Sequence, residues 1–254
     1  QITVERYYVT NAADSIQADK DIDAYNLANG TTIAHGALRV GAVTYRIYAD
    51  MLPGYKLVQP YGDNTKNQFL KITTSTNFYN HPLGSYSPVP GTTKANIQNN
   101  LLALDTYLSL GGVANGQYGI LKAEDNGAAN NVTVAGNTGN VLLHNDPSIG
   151  IALTTQDDMI AGTGIQGMTA AGFTPENETA LNSVGNSFII NNGAWFSIAG
   201  SEGPDPATNK ILIGQFTTNG AFHYEINVLV KAPNGKGEFY VAKNPAPTPT
   251  NDGR

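Results

Sequence analysis

The sequence predicts an all-β protein, an antiparallel β-sandwich with long loops rich in Gly and Asn. Three observations predict it. Short apolar runs with period-two alternation recur along the chain, separated by clusters of Gly, Asn, Pro and Asp. Charged residues make up only 13% of the 254 residues, against 28 glycines, while Asn and Thr are each about a tenth of the chain, roughly twice ordinary usage. The stretch NKILIGQFTTNGAFHYEINVLV, residues 209 to 230, reads as two strands joined at Asn219-Gly220, the pair favoured in two-residue type I′ hairpin turns.

Centred on that turn, the register predicts Ile213 opposite Ile226 and Ile211 opposite Val228. Side-chain alternation then gathers Ile211, Ile213, Phe222, Tyr224, Ile226, Val228 and Val230 on one face. Lys210 and Lys231 flank the ribbon, whose interior carries neither Lys nor Pro, so a further strand or a second chain is expected to cover its edges. Other strand candidates are ITVERYYVT at the start, then residues 42 to 50, 55 to 61, 68 to 76, 118 to 124 and 187 to 200. NNLLALDTYLSLGG, residues 99 to 112, fits both a helical and an alternating pattern, and strand is the preferred reading. The β region spans residues 1 to 245, as one large or two small domains, and residues 246 to 254 form a Pro- and Thr-rich linker or tail.

Charge and composition exclude several classes of function. The net charge is −6, and the 14 Lys and Arg residues are scattered singly, leaving no basic stripe for a phosphate backbone. No apolar run reaches the length needed to span a bilayer as a helix. With no cysteine, disulfides, thiolate metal sites and cysteine nucleophiles are all absent. A start at Gln1, entering at once on an alternating strand, is expected of an exported chain trimmed of a signal peptide.

The segments VGAVTYRIYADMLPGYKL, ILKAEDNG, NKILIGQFTTNGAFHYEINVLV and YVAKNP, in that order, resemble a group of secreted, cell-surface β-rich proteins of Bacteroidota associated with type IX secretion. The resemblance implies an extracellular or cell-surface β protein and carries over no catalytic residues. Asp14-Ser15-Ile16 is similar to the Asp-Ser/Thr-apolar acceptor of O-glycosylation in those bacteria, which makes Ser15 a candidate modification site. Asn29, Asn131 and Asn177 head N-x-T triplets.

Candidate chemistry is sparse. Asp19, Asp21 and Asp23 in ADKDIDAYNLANG alternate as carboxylates do when a tight loop aims them at Ca²⁺, although Ala24 and Gly30 depart from the EF-hand pattern; a solvated acidic loop is the alternative. Glu124 with Asp125, and Asp157 with Asp158, are weaker pairs of the same kind. His35, His81, His144 and His223 show no metal-ligand spacing, and His223 with Glu225 reads as a surface pair. Trp195 is a candidate for stacking on a sugar ring. These features predict a non-catalytic extracellular structural or adhesive protein, a subunit of a filament or surface layer that contacts other protein subunits or surface polysaccharide. A carbohydrate-binding or glycan-active module is the alternative.

Overall fold

The computed structural model describes residues 1–88, 101–114, 117–121, 124, 159–161 and 168–243. The chain is predominantly β and antiparallel, built as a sandwich that does not close into a barrel. The front sheet has the order β1-β2-β12-β5, from β1 (Ile2–Val9), β2 (Val43–Asp50), β12 (Lys210–Thr218) and β5 (Tyr107–Leu108). Facing it are two sheets. One has the order β10-β4-β13, from β10 (Ser187–Ile190), β4 (Leu70–Thr74) and β13 (Phe222–Glu225). The other has the order β15-β14-β3-β11-β9, from β15 (Gly237–Tyr240), β14 (Asn227–Lys231), β3 (Lys56–Gly62), β11 (Gly193–Phe196) and β9 (Thr169–Ala171). A small separate sheet of β6 (Gly112–Ala114), β7 (Gln117–Gly119) and β8 (Met159–Ala161) packs Val113 against Tyr48, Tyr107 and Leu212 of the front sheet.

The two facing sheets form one back layer broken at a single level. β13 runs on into β14 through Ile226, and β10 into β11 through Asn191-Asn192; β4 continues the line of β3 after an excursion closed by the Asp63–Gln68 bridge. At this break a Cβ on Gly62 would stand 1.9 Å from the Ile190 carbonyl oxygen, so only glycine allows the strands so close. The buried Asn227 bridges the break, its amide donating to the carbonyls of Tyr61 at 3.1 Å and Gln68 at 3.0 Å.

Between the layers lies the main core, with Ile47, Ile211, Ile213 and Phe216 from the front and Leu57, Ile72, Phe188, Trp195 and Ile226 from the back. The alternation predicted for Ile211, Ile213, Ile226, Val228 and Val230 is therefore core-facing, but the hairpin is not formed. β12 pairs with β2 and β5, whereas β13 pairs with β4, so Asn219-Gly220 carries the chain from one layer to the other as an arch. Ile213 and Ile226 share the core from opposite layers. Neither Asn219 nor Gly220 takes the positive φ of a type I′ turn. Glycine is required at 220 by crowding: a Cβ there would meet Thr74 Oγ1 at 2.4 Å and Thr76 Oγ1 at 2.6 Å.

The outer face of the front sheet is also covered. The acidic segment expected as a loop is instead α1 (Ala12–Asn29), started by a capping box between Asn11 and Asp14 and ended by Gly30 at φ 65°. It packs Ala18 with Tyr7, Tyr8, Leu38, Tyr79, Leu101 and Leu104. The ambiguous segment 99 to 112 is mixed, a 3₁₀ turn at Leu102–Leu104 followed by β5. Beneath it lies a buried polar layer. Arg46 donates to Gln215 Oε1 at 2.9 Å with its guanidinium 3.7 Å over the Tyr7 ring, and the Gln215 amide donates to the carbonyls of Ala103 and Asp105. The Gln215 amide, with the Thr217 hydroxyl donating to the Leu104 carbonyl at 2.6 Å, ties residues 103 to 105 to β12. A second helix, α2 (Pro175–Asn182), caps the back layer beside β10, its Asn177 accepting from the Ile189 N–H at 2.9 Å.

Candidate binding groove

The sandwich is open along one flank, where the edge strand β1 of the front sheet stands beside β13 and β15 of the back layer. A cavity of about 360 Å³ opens there. Its floor is apolar, with Ala49 from β2 and Ile226, Val228 and Val230 from the back layer, continuous with the core. Three tyrosines stand at its rim, Tyr55, Tyr224 and Tyr240, the last two well exposed.

Local structure fixes this rim. β14 and β15 are joined at Pro233-Asn234-Gly235, with Gly235 at φ 85° and the Ala232 N–H donating to the Lys236 carbonyl at 2.8 Å. The turn sets Val228 opposite Tyr240 and so brings Tyr240 to the flank. Glu238 then accepts from two rim phenols, Tyr240 at 2.8 Å and Tyr55 at 3.4 Å. The bond to Glu238, with some burial, pushes the Tyr240 phenol up to about 12. Glu225 is paired with Lys243 and Lys71, and the Lys243 bond holds its carboxyl below the usual range. The lip thus carries compensated charge around an apolar interior, an arrangement suited to apolar or aromatic groups with polar ends.

The residues singled out in the sequence lie elsewhere. Trp195 is fully buried in β11, donating to the Ser109 carbonyl at 3.0 Å with its ring edge-on to Phe188 at 5.9 Å, so it is a core residue with no face for a sugar. Asp19, Asp21 and Asp23 lie on α1, where alternate residues diverge by about 200° around the axis. Each carboxylate has its own partners. Asp19 accepts from the Gly36 N–H at 2.9 Å, Asp23 pairs with His35 at 2.8 Å, and Asp21 turns inward to His81 and the Leu101 N–H. Among the described residues no group of three His, Asp or Glu side chains is placed to hold a metal ion. Ser15 is on the same helix, half-buried, its hydroxyl donating to the Leu38 carbonyl at 2.8 Å. Asn177 is buried. His223 is exposed beside Glu225 on β13, and Glu124 pairs with Lys210. Asn131, His144, Asp125, Asp157, Asp158 and the tail 246 to 254 lie outside the described residues.

A cluster that spacing did not announce sits under α1. His81 Nδ1 accepts from the Leu83 N–H at 3.1 Å, which leaves Nε2 to donate to Asp21 at 3.3 Å. Both ring nitrogens are thereby engaged in structure. Burial opposes ionisation of Asp21, but bonds from His81, the Leu101 N–H and Gln17 outweigh it and lower its pKa. Asp105, fully buried, accepts from the His81 N–H at 2.8 Å, and burial pushes its carboxyl well above the usual range. The cluster pins α1 to the loop at residues 79 to 86.

Neither protein-family models, curated proteins nor solved structures gave a match to this chain.

Proposed function

We propose that the protein is a non-catalytic extracellular structural or adhesive protein of the cell surface, working by association with other protein subunits or surface polymers. The observation that carries this reading is the outermost strand of the front sheet. β1 is eight residues long, has β2 as its only strand neighbour among the described residues, and contains neither Lys nor Pro. Gln1 and Asp50 exchange both backbone hydrogen bonds, at 2.6 and 2.8 Å, so by alternation Ile2 and Val4 turn their backbone groups away from β2 to the open side. Such an edge beside an apolar groove is a template for an added strand. Light scattering and electron microscopy over a range of concentrations test the reading. Ordered contacts or defined oligomers are expected, and dispersed monomers at every concentration would refute it.

The rim tyrosines favour a second reading, a carbohydrate-binding module, because exposed tyrosines around a cleft offer faces for sugar rings. A glycan array separates the two. Binding that is lost in Tyr224→Ala at unchanged thermal stability would support the second.

A further inference from the structure

We infer that the partner of the open edge of β1 is a second copy of this chain. Two β1 strands pair antiparallel about a two-fold axis at Thr3, and each copy brings its Arg6 to Glu238 at the groove lip of the other. This rests on the association reading above and gives it a partner and a surface.

The flank carries an unpaired charge of opposite sign at each end. Ile2 lies opposite Ala49 and Val4 opposite Ile47, both of which face the core. Ile2 and Val4 therefore turn their side chains to the groove side of the sheet, while their backbone groups point to the open edge. Arg6 shares that face, because it lies opposite Tyr45, whose ring stacks on Phe222 of the back layer at 4.5 Å. At the other end Glu238 lies opposite Val230 of the groove floor and accepts from Tyr55, which stands just past β2 and donates its N–H to the Leu52 carbonyl at 3.2 Å. Among the described residues Arg6 is exposed with no carboxylate beside it, and Glu238 has two phenols but no Lys or Arg beside it. A cation at one end of an edge and an anion at the other are brought together twice by a two-fold axis across that edge.

The backbone selects the register. The bulge between Arg6 and Tyr8 interrupts the edge, so Ile2 and Val4 are the residues free to exchange bonds with an added strand. Antiparallel pairing of two copies joins such residues to each other, and one register alone sets both against apolar residues: Ile2 opposite Val4 of the copy, and Val4 opposite its Ile2. Thr3 then meets Thr3 on the axis, and Glu5 meets Gln1. A shift by two residues sets Ile2 against Arg6, and a shift by four sets Glu5 against Glu5, like charges directly opposite. In the register with Thr3 on the axis, the Arg6 of the copy falls one residue past Gln1, at the end of the flank where Glu238, Tyr55 and Tyr240 stand. The Ile2 and Val4 of the copy lie over the groove mouth, so one interface covers both grooves and joins the two front sheets.

The chain has no cysteine, so Thr3→Cys places a single thiol at the axis. Facing residues of a non-bonded antiparallel pair are about 4.5 Å apart at Cα, within reach of a disulfide, and mild oxidation of the full-length variant is expected to give a covalent dimer. Glu5→Cys, whose two copies stand about 14 Å apart in this register, should give none under the same conditions. In sedimentation, Arg6→Glu and Glu238→Arg should each weaken the dimer by about tenfold or more, because each sets like charges together. An equimolar mixture of the two variants should recover it, since both ends then carry opposite charges, and such recovery cannot come from misfolded chains. A covalent dimer from Glu5→Cys but not from Thr3→Cys would overturn the register. Single variants that associate like the parent, or a mixture that stays dissociated, would overturn the pairing of Arg6 with Glu238. A parent that associates while Thr3→Cys fails to cross-link would sink this inference and leave the association reading standing, whereas a parent that is monomeric at every concentration would refute both.

Discussion

Asn227 holds Tyr61 and Gln68 together: its single amide donates to both carbonyls, 3.1 and 3.0 Å away, where β3 gives way to β4. Its Oδ1 also accepts from the Ala242 N–H, so three strands meet on one buried side chain. Asn227→Ala should lower stability by about 1 to 3 kcal/mol, because the carbonyls of Tyr61 and Gln68 each lose a buried donor, the latter keeping the Asp63 N–H, and the part-buried Ala242 N–H loses its acceptor. Urea unfolding with an unchanged slope and an unchanged midpoint would show that the break is held some other way.

Gly62→Ala tests the close approach at the same level. The added methyl meets the Ile190 carbonyl oxygen, a backbone atom that cannot rotate away, so one strand must shift. The expected loss is about 3 kcal/mol, at the upper end for overpacking. A fall in melting temperature of less than a degree or two would mean that the strands are farther apart than described.

Trp195 is the only tryptophan, and its burial makes it a reporter of the core. Its emission should be blue-shifted in the native state and unmoved by added oligosaccharides. Trp195→Ala should cost about 3 to 5 kcal/mol, through the cavity between Phe188 and the front sheet and the orphaned Ser109 carbonyl. A sugar-dependent change in that emission would contradict the buried placement.

Two buried carboxylates have opposite pH signatures. The pKa of Asp21 is lower in the folded chain than its ordinary 3.8, so its contribution is complete above that value and is lost as pH falls through the folded-state pKa. Asp105 is raised, so the unfolded chain releases this proton first, and stability drops as pH climbs from about 3.8 to the folded-state pKa. Asp21→Asn should therefore be less stable than the parent at neutral pH and converge with it in acid. Asp105→Asn should match the parent in acid and gain on it as pH rises. Denaturant midpoints measured from pH 3 to 8 check both signs, and parallel curves for parent and variants would refute the assignment.

Period-two alternation was enough to find β1, β2, β3 and β4 within a residue or two, because each carries its core face in its own sequence. It could not name their partners. Residues 209 to 230 satisfy every local rule for a hairpin, yet Phe216 and Phe222 face each other at 6.1 Å from opposite layers, because Ile211 and Phe216 gain more by packing between β2 and the back layer than by pairing with β14. α1 was hidden by weak periodicity, since only Ala18 and Ile22 are buried on it. Its ends were readable all the same, in the Asn11–Asp14 box and in Gly30. The groove was not legible, because its floor comes from β2 and β14 and its rim from Tyr55, Tyr224 and Tyr240, segments brought together only by the stacking of two layers.

The arch at Asn219-Gly220 also bears on how fast the chain reaches this state. A two-residue loop closes in microseconds, and residues 209 to 230 can form a transient ribbon long before β2 is available. In the finished molecule β12 pairs with β2, from Lys210 opposite Asp50 to Thr218 opposite Val43, so any such ribbon must open before the front sheet assembles. Its very local stability then acts as a brake. Refolding in the range of milliseconds to seconds is the ordinary result of such distant pairings, and weakening the early ribbon by Asn219→Ala, which spares the arch its positive-φ bias, should make refolding faster at nearly constant unfolding rate.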